Sequence, residues 1–220
     1  MLITFEGGEG AGKTSAIPEI GKWLKYQFGL ACRIVREPGG TRIGDNLRAL
    51  LHEITDEEMD YKTEALLYQA SRAEIVAKII RPAIEAGEVI VMDRFFDSSR
   101  VYQSVGRGLR MEDIDWLNNF STGGITPDLT LLFDLDPVIG LQRRMGNNVE
   151  MNRMDKQAID FYRKVRQGYL ELAQKNDGDR WRIINAEQSI ESVLGDVKRE
   201  IENKLISSGF IERPTLGKER

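Results

Sequence analysis

Short apolar runs alternate along the chain with stretches whose apolar residues recur every three to four positions. The runs are Leu2–Phe5, Ala31–Val35, Glu88–Met92, Leu129–Leu135 and Arg182–Ile184. The amphipathic stretches lie near 14–28, 43–53, 61–86, 111–120, 137–145, 155–176 and 189–206. Helical periodicity turns one face to a core, whereas a continuous apolar run suits a strand buried on both sides. The alternation predicts an α/β domain: a parallel sheet covered by helices on both faces. "LTLLFDL", residues 129–135, is the clearest two-side-buried strand. Pro18 falls inside the first helix, where it removes a backbone donor and is expected to bend or loosen the second turn. The domain is expected over 1–207. A tail, 208–220, carries Gly209, Pro214 and Gly217 and is expected to be poorly ordered or to dock only in an oligomer.

Composition narrows the class. The 220 residues are 41% hydrophobic and 30% charged, which suits one globular domain with a real core. A net charge of -4 argues against nucleic acid as the main partner. No apolar run approaches the ~18 residues of a membrane span. Cys32 is the single cysteine, so no intrachain disulfide forms, and a reducing, cytoplasmic setting is expected. The start reads directly into a strand, so no signal peptide is expected. His52 is the single histidine, which excludes a multi-histidine zinc site.

Between the first strand and the first helix stands "FEGGEGAGKTS", residues 5–15. Gly7-x-x-x-x-Gly12-Lys13-Thr14 matches G-x-x-x-x-G-K-[ST] in the strand–loop–helix context that confirms it. Gly7, Gly8, Gly10 and Gly12, with Glu9 and Ala11 between them, let backbone N–H groups converge on phosphate oxygens, and the helix start at Thr14 and Ser15 adds its positive dipole end. Lys13 is expected on the β- and γ-phosphates and the Thr14 hydroxyl on Mg²⁺. A second anchor is Asp93, which ends the run Val89–Met92 and is placed to hold Mg²⁺ through water. Arg94 directly follows it, so metal and phosphate can be organised in one pocket. Asp134 and Asp136 are rival acids, ranked lower because no arginine follows them and Asp136-Pro137 reads as a helix start.

Triphosphate binding alone leaves several classes. A guanine-reading switch needs N-K-x-D, but Asn203-Lys204 is followed by Leu205-Ile206. A monophosphate kinase needs many cations, because two anionic phosphates are pressed together. Arg36, Arg42, Arg48, Arg72, Arg94, Arg143, Arg144 and Arg153 fall near expected loops and fit that need.

With "REPGGT", "LLYQASRAE", "DRFFDSSRVYQ", "TPDLTLLFDLDP" and "FYRKVRQGYLELA" beside the cradle, the chain resembles the thymidylate kinases of the bacterial or phage type, from residue 2 to about 200. The resemblance implies a P-loop NTPase fold with five parallel strands and a lid at about 143–155. It also implies a homodimer and Mg²⁺-dependent transfer of the ATP γ-phosphoryl onto dTMP. By the same resemblance Arg94 holds the dTMP phosphate with Arg48 helping, Tyr68 stacks on thymine, and Arg72 donates to thymine O4. Ser99 and Gln103, four apart, face the base together; a Gln amide offers one acceptor and two donors. Tyr102 packs under the deoxyribose, Pro38 lines the base pocket, and Glu9 stands near the sugar hydroxyl and the metal. Arg143 lies beside adenine. The cradle's variable positions hold no cation, so Arg153 of the lid is expected to meet charge growing on the transferred group.

Two departures touch specificity. Asn152 precedes Arg153 where an Asp is usual, and Arg100 replaces a small residue in "SSRVY". Arg100 either points to solvent or alters nucleotide preference. The alternatives are therefore a broader pyrimidine monophosphate kinase and, from another class, a regulatory nucleotide-binding protein without turnover.

Overall fold

The computed structural model describes residues 1–53, 56–146, 153, 158–175 and 179–212. Five strands form one all-parallel sheet: β1 (Leu2–Gly7), β2 (Cys32–Arg36), β3 (Val89–Asp93), β4 (Leu129–Asp134) and β5 (Trp181–Asn185), in the order β2–β3–β1–β4–β5. The helices among the described residues are α1 (Lys13–Phe28), α2 (Arg42–His52), α3 (Tyr61–Ile75), α4 (Arg81–Glu85), α5 (Phe96–Ser99), α6 (Met111–Thr122), α7 (Pro137–Gly146), α8 (Ile159–Lys175) and α9 (Ile190–Ser207).

Strand alternation sorts the core into two faces. Ile3 and Phe5 of β1, Val91 of β3 and Leu131 of β4 pack with Ile20 of α1 and Val197 of α9. The intervening positions point the other way. Leu2, Ile90 and Met92 meet Ile75, Ile80 and Phe95, while Leu132 and Trp181 meet Val165 and Tyr169. On this second face β1 also carries Thr4 and Glu6, both fully buried. Register sets the site: Phe5 pairs with Asp93, and Gly7 with Phe133. The glycine loop and Asp93 therefore leave the sheet side by side, at the carboxyl ends of the strands where open α/β sheets bind ligands.

Three elements depart from the expected pattern. The single helix expected over 61–86 is interrupted by a π-helical turn, Val76–Ile80, before α4. The cause is Pro82, whose missing N–H and bulky ring do not fit a regular α turn; Arg81 N–H bonds five residues back to Val76 O. Next, α5 continues into a π-helical segment, Arg100–Gly106, where no helix was expected. Its buried residues mix Phe96, Val101 and Tyr102 with Asp97, Ser99, Gln103 and Ser104, so the apolar period is blurred. Finally, α1 runs unbroken through Pro18. Pro18 and Thr14 are both exposed, so the carbonyl that Pro18 leaves without a donor is on the solvent side, where its cost is small.

The expected tail boundary also moves. Gly209 (φ 70) ends α9 in a Schellman arrangement, with Phe210 N–H on Leu205 O at 2.8 Å and Gly209 N–H on Ile206 O at 3.1 Å. Phe210 and Ile211 then pack on the core, so the domain extends past 207. The remainder of the tail, 213–220, lies outside the described residues, as do Asn152 and most of the expected lid.

Candidate active site

The loop between β1 and α1 is built by backbone freedom and close approach. Gly12 opens α1 at φ 92, a conformation that costs most side chains energy. Gly10 touches Gly140 of α7 so closely that a Cβ on either residue would run into backbone of the other segment. Lys13 is buried, and its Nζ donates to Gly7 O (3.0 Å) and Gly8 O (2.8 Å). Burial, with Arg94 adding to it, pushes the Lys13 ammonium down to about 8. A nearby anion favours the charged form again. Thr14 Oγ1 donates to Asp93 Oδ2 at 3.0 Å, so the two expected metal residues stand together. Hydroxyl and carboxylate oxygens are hard donors of the kind Mg²⁺ takes alongside substrate phosphates. Among the described residues no cluster of three or more His, Cys, Asp or Glu forms a separate metal cage. The rival acids are employed elsewhere. Asp134 is gripped at both oxygens by Arg166 (2.7 and 3.0 Å), and Asp136 caps α7 through Val138 N–H (2.8 Å).

Beside the loop opens a cavity of about 190 Å³. All the residues expected around dTMP line it: Glu9, Pro38, Arg48, Tyr68, Arg72, Arg94, Ser99, Tyr102 and Gln103, together with Lys13, Thr14 and Asp93. The Glu37–Pro38 peptide is cis. Glu37, His52, Phe95 and Ser98 also line the cavity, although sequence reasoning gave them no role. Glu37 and Ser98 fall inside "REPGGT" and "DRFFDSS", so motif position was the available signal. Arg36 and Arg144, noted only as loop cations, reach it too. Arg48 donates to Pro38 O at 3.0 Å. Burial lowers its pKa, with the neighbouring charge of Arg36 next in effect. Cations crowded this way are eased by an anion, as a phosphate site requires.

Arg94 stands between cavity and core. Its φ of 66 is unusual for a residue with a side chain. The backbone is pinned by Arg94 N–H on Phe5 O (3.0 Å) and by Phe95 N–H on Glu6 Oε1 (2.7 Å). The guanidinium pairs with Glu9 Oε1 at 2.8 Å, lies over the Tyr102 ring, and reaches Ser98 Oγ (3.3 Å) and Tyr169 OH (3.2 Å). Burial pushes the Glu9 carboxyl up, but Arg94, Lys13 and Arg144 outweigh it and hold Glu9 below the usual range. Beneath Arg94, burial reinforced by Asp97 pushes the Glu6 carboxyl up to about 7. The native state therefore keeps a proton that the unfolded chain releases near 4.5. This contribution is present at low pH and is lost as pH rises through 7, a difference on the order of 3 kcal/mol.

The far wall of the cavity is a polar network. Arg72 is only 1% exposed. Its donors end on Glu37 (2.8 Å), Gln69 (3.0 Å), Asn118 (2.8 Å) and Ser99 (3.1 Å). It thus orders the wall it lines. Gln103 Nε2 donates to Glu64 Oε1 at 2.9 Å. Because a carboxylate only accepts, this bond fixes the amide orientation and leaves Gln103 Oε1 as an acceptor for the cavity. Glu64 also takes Arg107 (3.1 Å) and Arg153 (2.6 Å) at Oε2. Arg153 Nε donates to Leu51 O at 2.9 Å. The expected lid arginine is therefore on the base side of the cavity, not on the glycine loop. Arg143 donates to Ala186 O at 3.0 Å, just after β5. Arg100 faces away: it bonds Asp115 at 2.6 Å and Asp97 at 3.4 Å and does not line the cavity. The specificity concern attached to it loses its basis.

A glycine phosphate loop, an adjoining hydroxyl–carboxylate pair and a cation-lined cavity beside them, all at the strand ends of a parallel sheet, define a P-loop kinase acting on nucleotides. The thymidylate kinase family model matches residues 5–197, and the chain belongs to that family. A crystal structure of thymidylate kinase from Ehrlichia chaffeensis aligns with a TM-score of 0.72 and 30% identity, covering 91% of this chain and 98% of that one. The reaction is phosphorylation of dTMP to dTDP, with ATP and dTMP as its nucleotide substrates. A reaction of this kind generally uses a divalent metal. No helix among the described residues is long and apolar enough to cross a membrane.

Proposed function

We propose that the cavity beside the glycine loop is the dTMP site and that Mg²⁺ is the metal. The single observation that carries this reading is the convergence of Arg94, Arg48, Tyr68 and Gln103 on one cavity whose floor is Lys13, Thr14 and Asp93. Arg94 and Arg48 grip the acceptor phosphate, and Tyr68 stacks on thymine. Gln103 Oε1, aimed by Glu64, accepts from thymine N3–H. Cytosine has an acceptor at that position, so it meets lone pair against lone pair. Tyr102 packs under the deoxyribose, and Arg143 flanks adenine.

Mg²⁺, held by Thr14 and through water by Asp93, would neutralise charge on the donor phosphates. The chain's own groups do the rest. The glycine loop and Lys13 fix the donor, and Arg94 and Arg48 bring the acceptor oxygen into line. That oxygen is already anionic at neutral pH, so no strong general base is needed, and positioning with charge neutralisation carries the catalysis. A panel of monophosphates assayed with ATP tests the reading. dTMP is expected to exceed dCMP in kcat/KM by about 10²-fold or more, since an unpaired buried polar group discriminates strongly. Equal turnover of dCMP would defeat the assignment of Gln103.

We further propose a homodimer. Trp116 and Phe120 of α6 stack at 5.6 Å while 65% and 74% exposed, and Leu66 of the adjoining α3 is also exposed. Such apolar area suits burial against a second copy. Sedimentation equilibrium should give twice the chain mass, with Trp116→Glu shifting it toward the monomer; a monomeric wild type would refute this.

A further inference from the structure

We propose that Glu6 is a positioning residue for Arg94: its ionised carboxylate orients the Ser98 and Tyr169 hydroxyls so that both present lone pairs to the Arg94 guanidinium. Glu6 is fully buried and lines no part of the cavity. Oε1 takes Phe95 N–H at 2.7 Å. Oε2 takes Ser98 Oγ at 2.6 Å and Tyr169 OH at 2.8 Å. Those same two oxygens lie 3.3 and 3.2 Å from Arg94 Nη1. A hydroxyl has one hydrogen. While it donates to Glu6, only its lone pairs remain for Arg94, which is what an N–H donor requires. A neutral Glu6 carries its own O–H on that side. One hydroxyl must then accept from it, and its hydrogen turns toward Arg94 or toward the other hydroxyl, 2.8 Å away. The same carboxylate holds Phe95 N–H, directly after the unusual Arg94 backbone. Glu6 thus controls both the backbone and the side chain of the residue assigned to the acceptor phosphate.

The groups facing Glu6 come from four directions: Arg94 after β3, Asp97 and Ser98 of α5, Tyr169 of α8, and Lys13 at the head of α1. Asp97 is itself bound at both oxygens by Arg180, at 2.8 and 2.9 Å. Burial followed by Asp97 sets the Glu6 proton near neutrality, so the relay reverses within the working pH range.

The inference rests on the proposed dTMP site, and the test separates the two. Glu6→Gln keeps the shape and the Phe95 bond but offers an N–H₂ where the carboxylate accepted, mimicking the neutral form. dTMP is titrated calorimetrically onto both proteins from pH 6 to 8.5. Wild-type affinity is expected to rise with a component near neutrality beyond the ionisation of the substrate phosphate itself, about pH 6. The variant should keep only the substrate's component and bind dTMP about tenfold more weakly at pH 8, with ATP affinity unchanged. Its Tm should exceed the wild-type value at pH 8 and fall back toward it at pH 5, because ionised Glu6 is the destabilising form. Identical pH profiles, or dTMP and ATP affinities falling together, would leave Glu6 a core residue and overturn the inference.

Should Glu6→Gln fail to fold, Tyr169→Phe removes one relay hydroxyl and leaves Ser98 on Glu6. Weaker dTMP binding that keeps the pH component is expected, and unchanged binding refutes the relay. Failure of the wild type to bind dTMP would instead count against the substrate site. The relay is then read on the free protein by infrared difference spectra. The carboxyl band lost in Glu6→Gln must titrate near neutrality and shift in Tyr169→Phe; a band unmoved in that variant refutes the relay.

Discussion

Arg94→Ala is expected to lower kcat/KM for dTMP by roughly 10³-fold, while the KM for ATP changes little. Arg94 pairs with Glu9 at 2.8 Å beside the expected phosphate position. Truncation removes the cation that meets the acceptor and leaves the Glu9 carboxylate facing an incoming dianion. Both effects fall first on dTMP, while the Lys13 bonds to Gly7 O and Gly8 O that shape the donor loop remain. Arg94→Lys should recover only a minor part, because an ammonium supplies charge without the fork that reaches Glu9, Ser98 and Tyr169 together. Steady-state kinetics with each substrate varied reads this directly. A wild-type KM for dTMP in the alanine variant would place the acceptor phosphate elsewhere.

If Arg153 acts as the resemblance implies, Arg153→Ala should lower kcat by about 10³-fold, the scale of an arginine that meets transition-state charge on a transferred phosphoryl group. The structure gives this residue a second role that sequence did not suggest. Its guanidinium rests on Glu64 and Leu51 O, and Glu64 aims Gln103. Losing Arg153 should therefore also raise the KM for dTMP a few-fold. The ratio between the two effects decides the assignment. Single-turnover rates unchanged from wild type, with only KM shifted, would confine Arg153 to the base wall.

The sheet and the loop were legible because their signals are local. Apolar runs marked each of the five strands, and the glycine spacing with Lys13-Thr14 located the phosphate loop. Of the cavity residues, Lys13, Thr14, Asp93 and Arg94 were legible from motif context, but the base-side residues were legible only through the resemblance: Tyr68 and Arg72 by periodicity alone describe an ordinary amphipathic helix. The segment 96–106 escaped because its buried residues mix Phe96, Val101 and Tyr102 with Asp97, Ser99, Gln103 and Ser104, which blurs the apolar period. Arg100, which replaces a small residue in "SSRVY", left open either a solvent-facing side chain or an altered preference, whereas the fold turns it to Asp115.

By itself the sequence determined which segments become strands, where a phosphate could sit, and that cations were gathered for more than one phosphate. Each follows from neighbours in the chain: side-chain periodicity, backbone freedom at glycine, charge type. Tertiary structure alone decided which acid stands beside which cation. Thr14 meets Asp93 across 79 positions, Glu6 meets Tyr169 across 163, and Glu64 meets Arg153 across 89. Such pairings are set by strand register and helix packing. The ionisation of Glu6 and Lys13, and the direction in which Gln103 presents its amide, depend on that burial and on those partners.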